Sequence, residues 1–310
     1  MLISTNNTPT TSELAIVVVT FHPNPERLEK LIRATPTDSW VIVVDNTSTN
    51  QTAVELAVLL SGRDKTHLIQ NSTNVGLAAA INQGADFAAQ HIASATYLLL
   101  MDQDSVPFAG AIECLLTAHA ELERSGHRVG CVGPRLIDKY TGLQHGFHRI
   151  EGWRWVRVYP NADDRTPISC SNLNGSGTLL KTSLFQTLKG LDESFFIDHV
   201  DTEWAFRVLA AGYLLFGIPK ACFDHAMGEK SFRFWFFGWR IWPQRSPLRH
   251  YYLFKNAVTL MKRNYVSLVW KIWAVAKLIL TCATCLVFDQ RRTQQLTQMA
   301  TGIRDGLYDF

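Results

Sequence analysis

Four short apolar runs, each followed by a helical pattern, fill the first hundred or so residues, and no other feature limits the fold as much. AIVVVTF (15–21), WVIVVDN (40–46), THLIQN (66–71) and TYLLLMD (96–102) read as strands. Between and after them, residues 25–34, 51–61, 76–90 and 107–124 carry helical spacing, the third of them rich in alanine. The apolar, β-branched runs need cover on both faces, and the strand–helix alternation supplies it. The pattern predicts an α/β fold with a parallel sheet between helices. Ligands of such sheets bind beyond the carboxyl ends of the strands. Those ends here are Thr20-Phe21-His22, Asp45-Asn46, Asn71 to Asn74, and Asp102 to Asp104, so four polar loops are expected around one crevice.

The fourth end is the most demanding. In LLLMDQDSVP (98–107) an apolar strand runs into two aspartates separated by one residue. Such carboxylates repel one another and are costly to desolvate. A divalent cation resolves both problems, since Mg²⁺ or Mn²⁺ takes one or two carboxylates and completes its shell with water and phosphate oxygens. The structural alternative is a turn in which Asp104 or Ser105 caps a helix starting near Pro107. No G-x-G-x-x-G follows the first strand and no G-x-x-x-x-G-K-[ST] occurs, so a glycine cradle for phosphate is excluded and a carboxylate-held metal takes its place. The six cysteines, Cys114, Cys131, Cys170, Cys222, Cys282 and Cys285, offer one C-x-x-C without a second pair, and reduced thiols are expected rather than zinc.

Beyond residue 128 the rhythm breaks. VGCVGPRLI (129–137) reads as a strand, 140–170 as a hairpin or flap, and 175–181 as a strand. A helix is expected over 199–211 with Gly212 at its end, and then short strands that finish at His225. The segment FIDHVDTEWAFR (196–207) holds three acids. Glu203 and Arg207, four apart with the acid first, predict a structural ion pair. Asp201 faces elsewhere and is either a helix-terminal cap or a general base; Asp198 is the alternative base or the N-cap. His225 is a structural hydrogen-bonder or a ligand, and Gly175-Ser176-Gly177 is a tight turn or part of a pocket wall.

Charge is uneven along the chain. Residues 1–225 hold 17 Lys+Arg against 23 Asp+Glu, net −6, whereas 226–310 hold 13 against 4, net +9, with five of the nine tryptophans. A basic, aromatic segment on an acidic body points to an anionic surface. The run 266–288 has the length of a membrane span but carries Lys271 and Lys277. Peripheral membrane attachment is therefore expected, with a helical cover or a homo-oligomer interface as the alternative. The N-terminus has no basic n-region and no apolar h-region, which excludes a secretory signal there. The expected divisions are a flexible arm over 1–13, a catalytic domain over 14–228 and a helical extension over 229–310.

VVVTFHPNPERLEKLI, WVIVVDNTST, NSTNVGLAAAINQGADFA, YLLLMDQDSVP and FFIDHVDTEWAFRVLAAGY occur in this order, and together they resemble the inverting family 2 glycosyltransferases of the GT-A fold over roughly residues 14–265. The DQDS form and the DHVDTEW segment are most similar to bacterial rhamnosyltransferases of polysaccharide assembly. The resemblance implies a metal-dependent transfer from dTDP-β-L-rhamnose to a growing, lipid-linked glycan at the cytoplasmic face of the membrane, with no nucleic acid partner. By position it implies that Thr20 lies against the nucleobase, Asp45 binds the base edge, Asn74 and Gly76 border the nucleotide and its phosphates, and Asp102 faces ribose and metal. Asp104 would bind the metal, His225 would contact metal or diphosphate, and Asp201 would deprotonate the acceptor hydroxyl. A basic residue such as Arg233 would help to neutralise the diphosphate. The rivals are another dTDP- or UDP-hexose donor, a nucleotidyltransferase, whose glycine- and arginine-rich loop is missing after the first strand, and an inactive membrane-bound binding module.

Overall fold

The computed structural model describes residues 8–138, 142–161, 163–225, 231–235, 239–243 and 245–308, with the backbone alone for 231–235 and 239–243. The alternating half forms β1 (Leu14–Thr20), α1 (Pro25–Ala34), β2 (Trp40–Asp45), α2 (Asn50–Leu60), β3 (Thr66–Gln70), α3 (Leu77–His91) and β4 (Tyr97–Asp102). These strands are parallel, in the order β3-β2-β1-β4. β1 shows why both faces need cover. Leu14, Ile16 and Val18 pack against α1 and the helix after β4, whereas Ala15, Val17 and Val19 pack against α3.

Next come β5 (Ser105–Pro107), α4 (Ala111–Arg124), β6 (Val129–Ile137), the hairpin β7 (Phe147–Glu151) and β8 (Arg154–Val158), β9 (Ile168–Cys170), β10 (Thr178–Lys181), α5 (Thr182–Thr187), α6 (Val200–Ala210) and β11 (Leu214–His225). The sheet is mixed: β10 runs antiparallel between β4 and β6, and β11 lies parallel to β6. The helix expected near Pro107 begins instead at Ala111. Ser105–Pro107 pairs antiparallel with the end of β11, so neither Asp104 nor Ser105 is a helix cap. The two short strands expected before His225 are one strand with an irregularity between Ile218 and Cys222, where Pro219 lacks a ladder donor.

The chain closes with the two-stranded ribbon β12 (Ser231–Trp235) and β13 (Trp239–Pro243), then α7 (Pro247–Lys262), α8 (Leu268–Phe288) and α9 (Arg292–Tyr308). Leu253, Phe254, Cys285 and Met299 form a small core among these helices. Leu260 of α7 and Trp270 and Ala274 of α8 join the large core beside α6. Of the arm expected over 1–13, residues 1–7 lie outside the described residues, and Thr11–Glu13 form a 3-10 turn tied down by Thr11 to Asp38 (2.6 Å). All six cysteines are free thiols.

Candidate active site

A cavity of about 510 Å³ opens at the carboxyl ends of β1 and β4 and is walled on its far side by the start of α6 and by α7. Thr20, Asn74, Gly76, Asp102, Asp104, Asp201 and His225, singled out in the sequence, all line it. Asp45 does not.

The strand-end wall is built by cross-links that fix two carboxylates in place. Gln103, the residue between the aspartates, accepts from the Phe21 N–H (2.8 Å) and donates to the Phe21 carbonyl (3.1 Å), which joins the ends of β1 and β4. Arg27 of α1 donates to the Asp104 carbonyl (2.7 Å) and pairs with Asp224 (3.5 Å). The Asp102 N–H donates to Ser176 Oγ (3.1 Å), Ser176 donates to Ser105 Oγ (2.7 Å), and Ser105 Oγ lies 2.5 Å from His225 Nδ1. Ser176 is thus a strut behind the wall, and Gly175 beside it faces the cavity. Asp102, Asp104 and His225 each bring a ligand atom within 4.8 Å of the others. Burial raises the Asp102 pKa first; His225 and Arg249 lower it and Asp104 raises it. A carboxylate in that position is relieved by a cation. The donor set of two carboxylates and an imidazole fits a divalent ion of the Mg²⁺ or Mn²⁺ class. His225 Nδ1, besides its contact with Ser105, lies 3.6 Å from Asp104 Oδ1, so the imidazole stands directly beside the acid pair.

The second wall begins at Thr20. Its hydroxyl donates to Asp45 Oδ1 (2.8 Å), as does that of Thr47 (2.8 Å). Asp45 is fully buried behind them, and its Oδ2 has no hydrogen-bond partner. The sequence therefore misplaces Asp45 on the surface of the crevice; it holds Thr20, while Asn46 and half-exposed Phe21 reach the cavity. Asn74 accepts from the Gly76 N–H (2.9 Å). Gly76 is the N-cap of α3 at φ +89°, where a Cβ would stand 2.8 Å from the Phe196 carbonyl oxygen, so the position needs glycine.

The third wall is helical. Asp198 and His199 both adopt left-handed φ (62° and 63°) just before α6, an uncommon pair that needs outside support. Asn256 of α7 supplies it, donating to the carbonyls of Ile197 (2.7 Å) and Asp198 (3.0 Å). His199, not Asp198, is the N-cap. Asp198 pairs with Arg249 (3.2 Å) and Arg245 (3.9 Å). Burial alone would raise its pKa, but the two arginines outweigh burial and lower it, so the alternative base is a poor proton acceptor. Asp201 stands in the opposite condition. Burial is the main cause that raises its pKa to about 6; the Thr202 N–H bond (2.8 Å) opposes this and the charges of Asp102 and Asp198 add to it. The expected Glu203–Arg207 pair is present and bidentate (2.8 and 2.9 Å), with Tyr265 donating to Glu203 as well (2.7 Å).

Sequence reasoning missed Gln103, Arg27, Asn256 and Arg249. Only Gln103 carried a local signal, its place between the aspartates. The Arg233 side chain lies outside the described residues.

A cavity that sets an acid pair with a histidine opposite one desolvated, unpaired carboxylate is built for displacement at a centre whose leaving group is anionic. Comparison with known proteins agrees. Residues 17–189 match the family model described as Glycosyl transferase family 2. The chain is 28% identical over 312 residues to the dTDP-rhamnosyl transferase RfbF of Shigella flexneri, covering 96% of each. It is 26% identical over 233 residues to an N-acetylglucosaminyl-diphospho-decaprenol L-rhamnosyltransferase of Mycobacterium tuberculosis, 68% of this chain and 75% of that one. Among solved structures it superposes on GalNAc-T7 with UDP, GalNAc and Mn²⁺ at a TM-score of 0.59 and 15% identity, over 96% of this chain and 56% of the other.

Proposed function

This chain belongs to glycosyl transferase family 2 and has the GT-A fold, and we propose that it moves L-rhamnose from dTDP-β-L-rhamnose, with inversion, to a glycan carried on a lipid diphosphate. The observation that carries the reading is the pairing across one cavity of Asp102, Asp104 and His225 with the isolated Asp201. The names of the two rhamnosyltransferase relatives favour the donor, and the second favours a diphosphate-linked acceptor.

The residues divide the work. Phe21, Thr20 and Asn46 border the base, and the buried Asp45 behind them fixes the Thr20 hydroxyl. Asn74 and Gly76 border the ribose and phosphates. Asp102, Asp104 and His225 would hold a divalent cation, which when bound neutralises charge on the leaving diphosphate. Asp201 takes the proton of the acceptor hydroxyl. That oxygen then bonds to the anomeric carbon as the bond from carbon to the diphosphate oxygen breaks, and dTDP leaves. No glycosyl-enzyme intermediate forms, so configuration inverts. Asp198 is unsuited to this, because Arg245 and Arg249 keep its charge engaged.

The outer face of α8 supports the membrane reading. Leu268, Ile272, Val275, Ile279 and Leu286 are exposed at helical spacing, and the helix has the length and composition of a span. Lying on the bilayer surface rather than crossing it, such a stripe would hold 229–310 at the cytoplasmic face of the membrane, beside a lipid-linked acceptor.

The test is turnover with dTDP-β-L-rhamnose and a panel of dTDP- and UDP-hexoses, with N-acetylglucosamine diphosphate on a short prenyl chain as acceptor. Transfer from dTDP-rhamnose alone, giving an inverted anomer by NMR, is expected. Transfer from a different hexose replaces the donor; a retained anomer overturns the mechanism. Excess EDTA should abolish turnover, and undiminished rates would remove the metal.

A further inference from the structure

The cations around the cavity sort into two groups. Arg249 and His225 face Asp102. A second group, Arg157, Arg245 and Lys277, lies just outside the cavity lining, with Arg245 3.9 Å from Asp198. Lys277 is the anomaly. Trp270, Ala274, Thr281 and Thr284 form the stripe of α8 buried against the body. The period places Lys277 on that inner stripe, while leucines, isoleucines and valine face outward. The lysine is nevertheless exposed by surface area. Its ammonium lies 5.1 Å over Trp273 and has no ion pair among the described residues. Trp273 is 6.1 Å from Trp155 of β8, and Arg157, two residues on, shares the Trp155 face of that strand. Arg157 has no carboxylate partner among the described residues either: it donates to His148 Nε2 (3.0 Å). Burial, with Arg157 and Lys277 beside it, lowers the His148 pKa to about 3 and keeps it a neutral acceptor. The mass around the Lys277 amine, and then Arg245 and Arg157, lower the lysine's pKa too, so the group repels its own charge. Among the described residues Arg245 pairs with Asp198 alone, at 3.9 Å, and shares it with Arg249.

We propose that Lys277, Arg157 and Arg245 form an acceptor-side subsite for a diphosphate, which holds the lipid diphosphate of the acceptor so that its sugar reaches Asp201. This rests on the reading of the chain as a transferase to a diphosphate-linked acceptor. The group is distinct from the donor-phosphate side, because Asp102, Asp104, His225 and Arg249 line the cavity whereas Arg157, Arg245 and Lys277 lie outside its lining. Three cations and two indoles suit an anionic headgroup that carries an apolar chain.

Calorimetry with farnesyl diphosphate tests it, on the full chain saturated with dTDP and Mg²⁺. Binding on top of dTDP is expected, weakened tenfold or more in Lys277→Ala and in Arg157→Ala, the loss of one or two charge-assisted hydrogen bonds. Lys277→Arg should retain it, and melting temperatures equal to wild type exclude misfolding. Three results overturn the subsite: competition between farnesyl diphosphate and dTDP, equal affinity for farnesol, or variants that lose binding to phosphatidylglycerol vesicles but not to farnesyl diphosphate. Absence of dTDP binding would overturn the donor reading alone, since the Lys277 and Arg157 dependence is then measured without nucleotide.

Discussion

The strand-end wall and the helical wall of the cavity treat carboxylates in opposite ways. At the ends of β4 and β11, Asp102 and Asp104 are crowded together with His225, and their charge is an asset only when a cation shares it. At the start of α6, Asp198 and Asp201 are three residues apart and are kept apart electrically. Arg245 and Arg249 lower the Asp198 pKa, while burial raises that of Asp201 to about 6. Two chemically identical groups three residues apart thus become a fixed anion and a proton acceptor, and the difference is made by Arg249 of α7, Arg245 just before it and the burial of Asp201.

The sharpest way to break this contrast is to neutralise each acid in turn. Asp201→Asn should lower kcat on the order of a thousandfold, within the range of a lost general base, and leave dTDP affinity within about twofold. Asp198→Asn should act on the backbone before α6 and reduce kcat only about tenfold, through misplacement of its neighbour. If the two variants lose activity equally, the roles assigned to the pair are wrong. Next in size is the ion pair below them. Glu203 is fully buried between Arg207 and Tyr265, and Glu203→Ala leaves the arginine unpaired, so unfolding by denaturant should show a loss of about 3–5 kcal/mol. The pH profile follows. Asp201 faces Thr202 on its own helix, Asp102 from β4, Asp198 from the preceding loop and Lys277 from α8. The ionised form is the base, so kcat should fall about tenfold per pH unit below about 6 and lie flat above it. A limb near the ordinary carboxylate value of 3.8 would mean that Asp201 is not desolvated.

The strand-end wall was largely legible in the sequence because each of its parts is local. An apolar run that stops at a polar residue marks a strand end, and parallel topology then gathers the ends. Thr20, Asn74, Gly76, Asp102 and Asp104 meet on that logic alone. Asp45 obeyed the same rule and still missed the cavity, since the hydroxyls of Thr20 and Thr47 cover it, a side-chain choice the strand pattern does not encode. The helical wall was legible at Glu203 and Arg207, where an i,i+4 spacing acted, and at Asp201, a cap or a base by its own position and a base by the resemblance. Asn256 supports Asp198 from 58 residues away and looks in sequence like any polar position on an amphipathic helix. Lys277 did carry a signal, a lysine inside an apolar run, but sequence alone could not say that it falls on the stripe of α8 packed against the body. β5 was hidden for the same reason: Ser105–Pro107 becomes a strand only because the end of β11 lies beside it.

The smallest effect separates function from stability at Asp201. Its pKa rises from 3.8 to about 6 on folding, so between those values the native state holds more proton than the unfolded chain. Stability from this group is therefore complete below about 3.8 and is lost as pH climbs through about 6; at pH 7 the buried charge destabilises the fold. A rise of that size would correspond to roughly 3 kcal/mol, and screening in a cavity open to solvent reduces this to on the order of 1 kcal/mol. Asp201→Asn keeps an oxygen for the Thr202 N–H and removes the charge. The inactive variant should melt about 2–4 °C above wild type at pH 7 and at the same temperature at pH 4. Equal melting at both pH values would mean that the charge is already compensated at neutral pH. The contrast between the two walls would then rest on Asp198 alone, because an acid that carries its charge without strain has no excess affinity for the acceptor's proton.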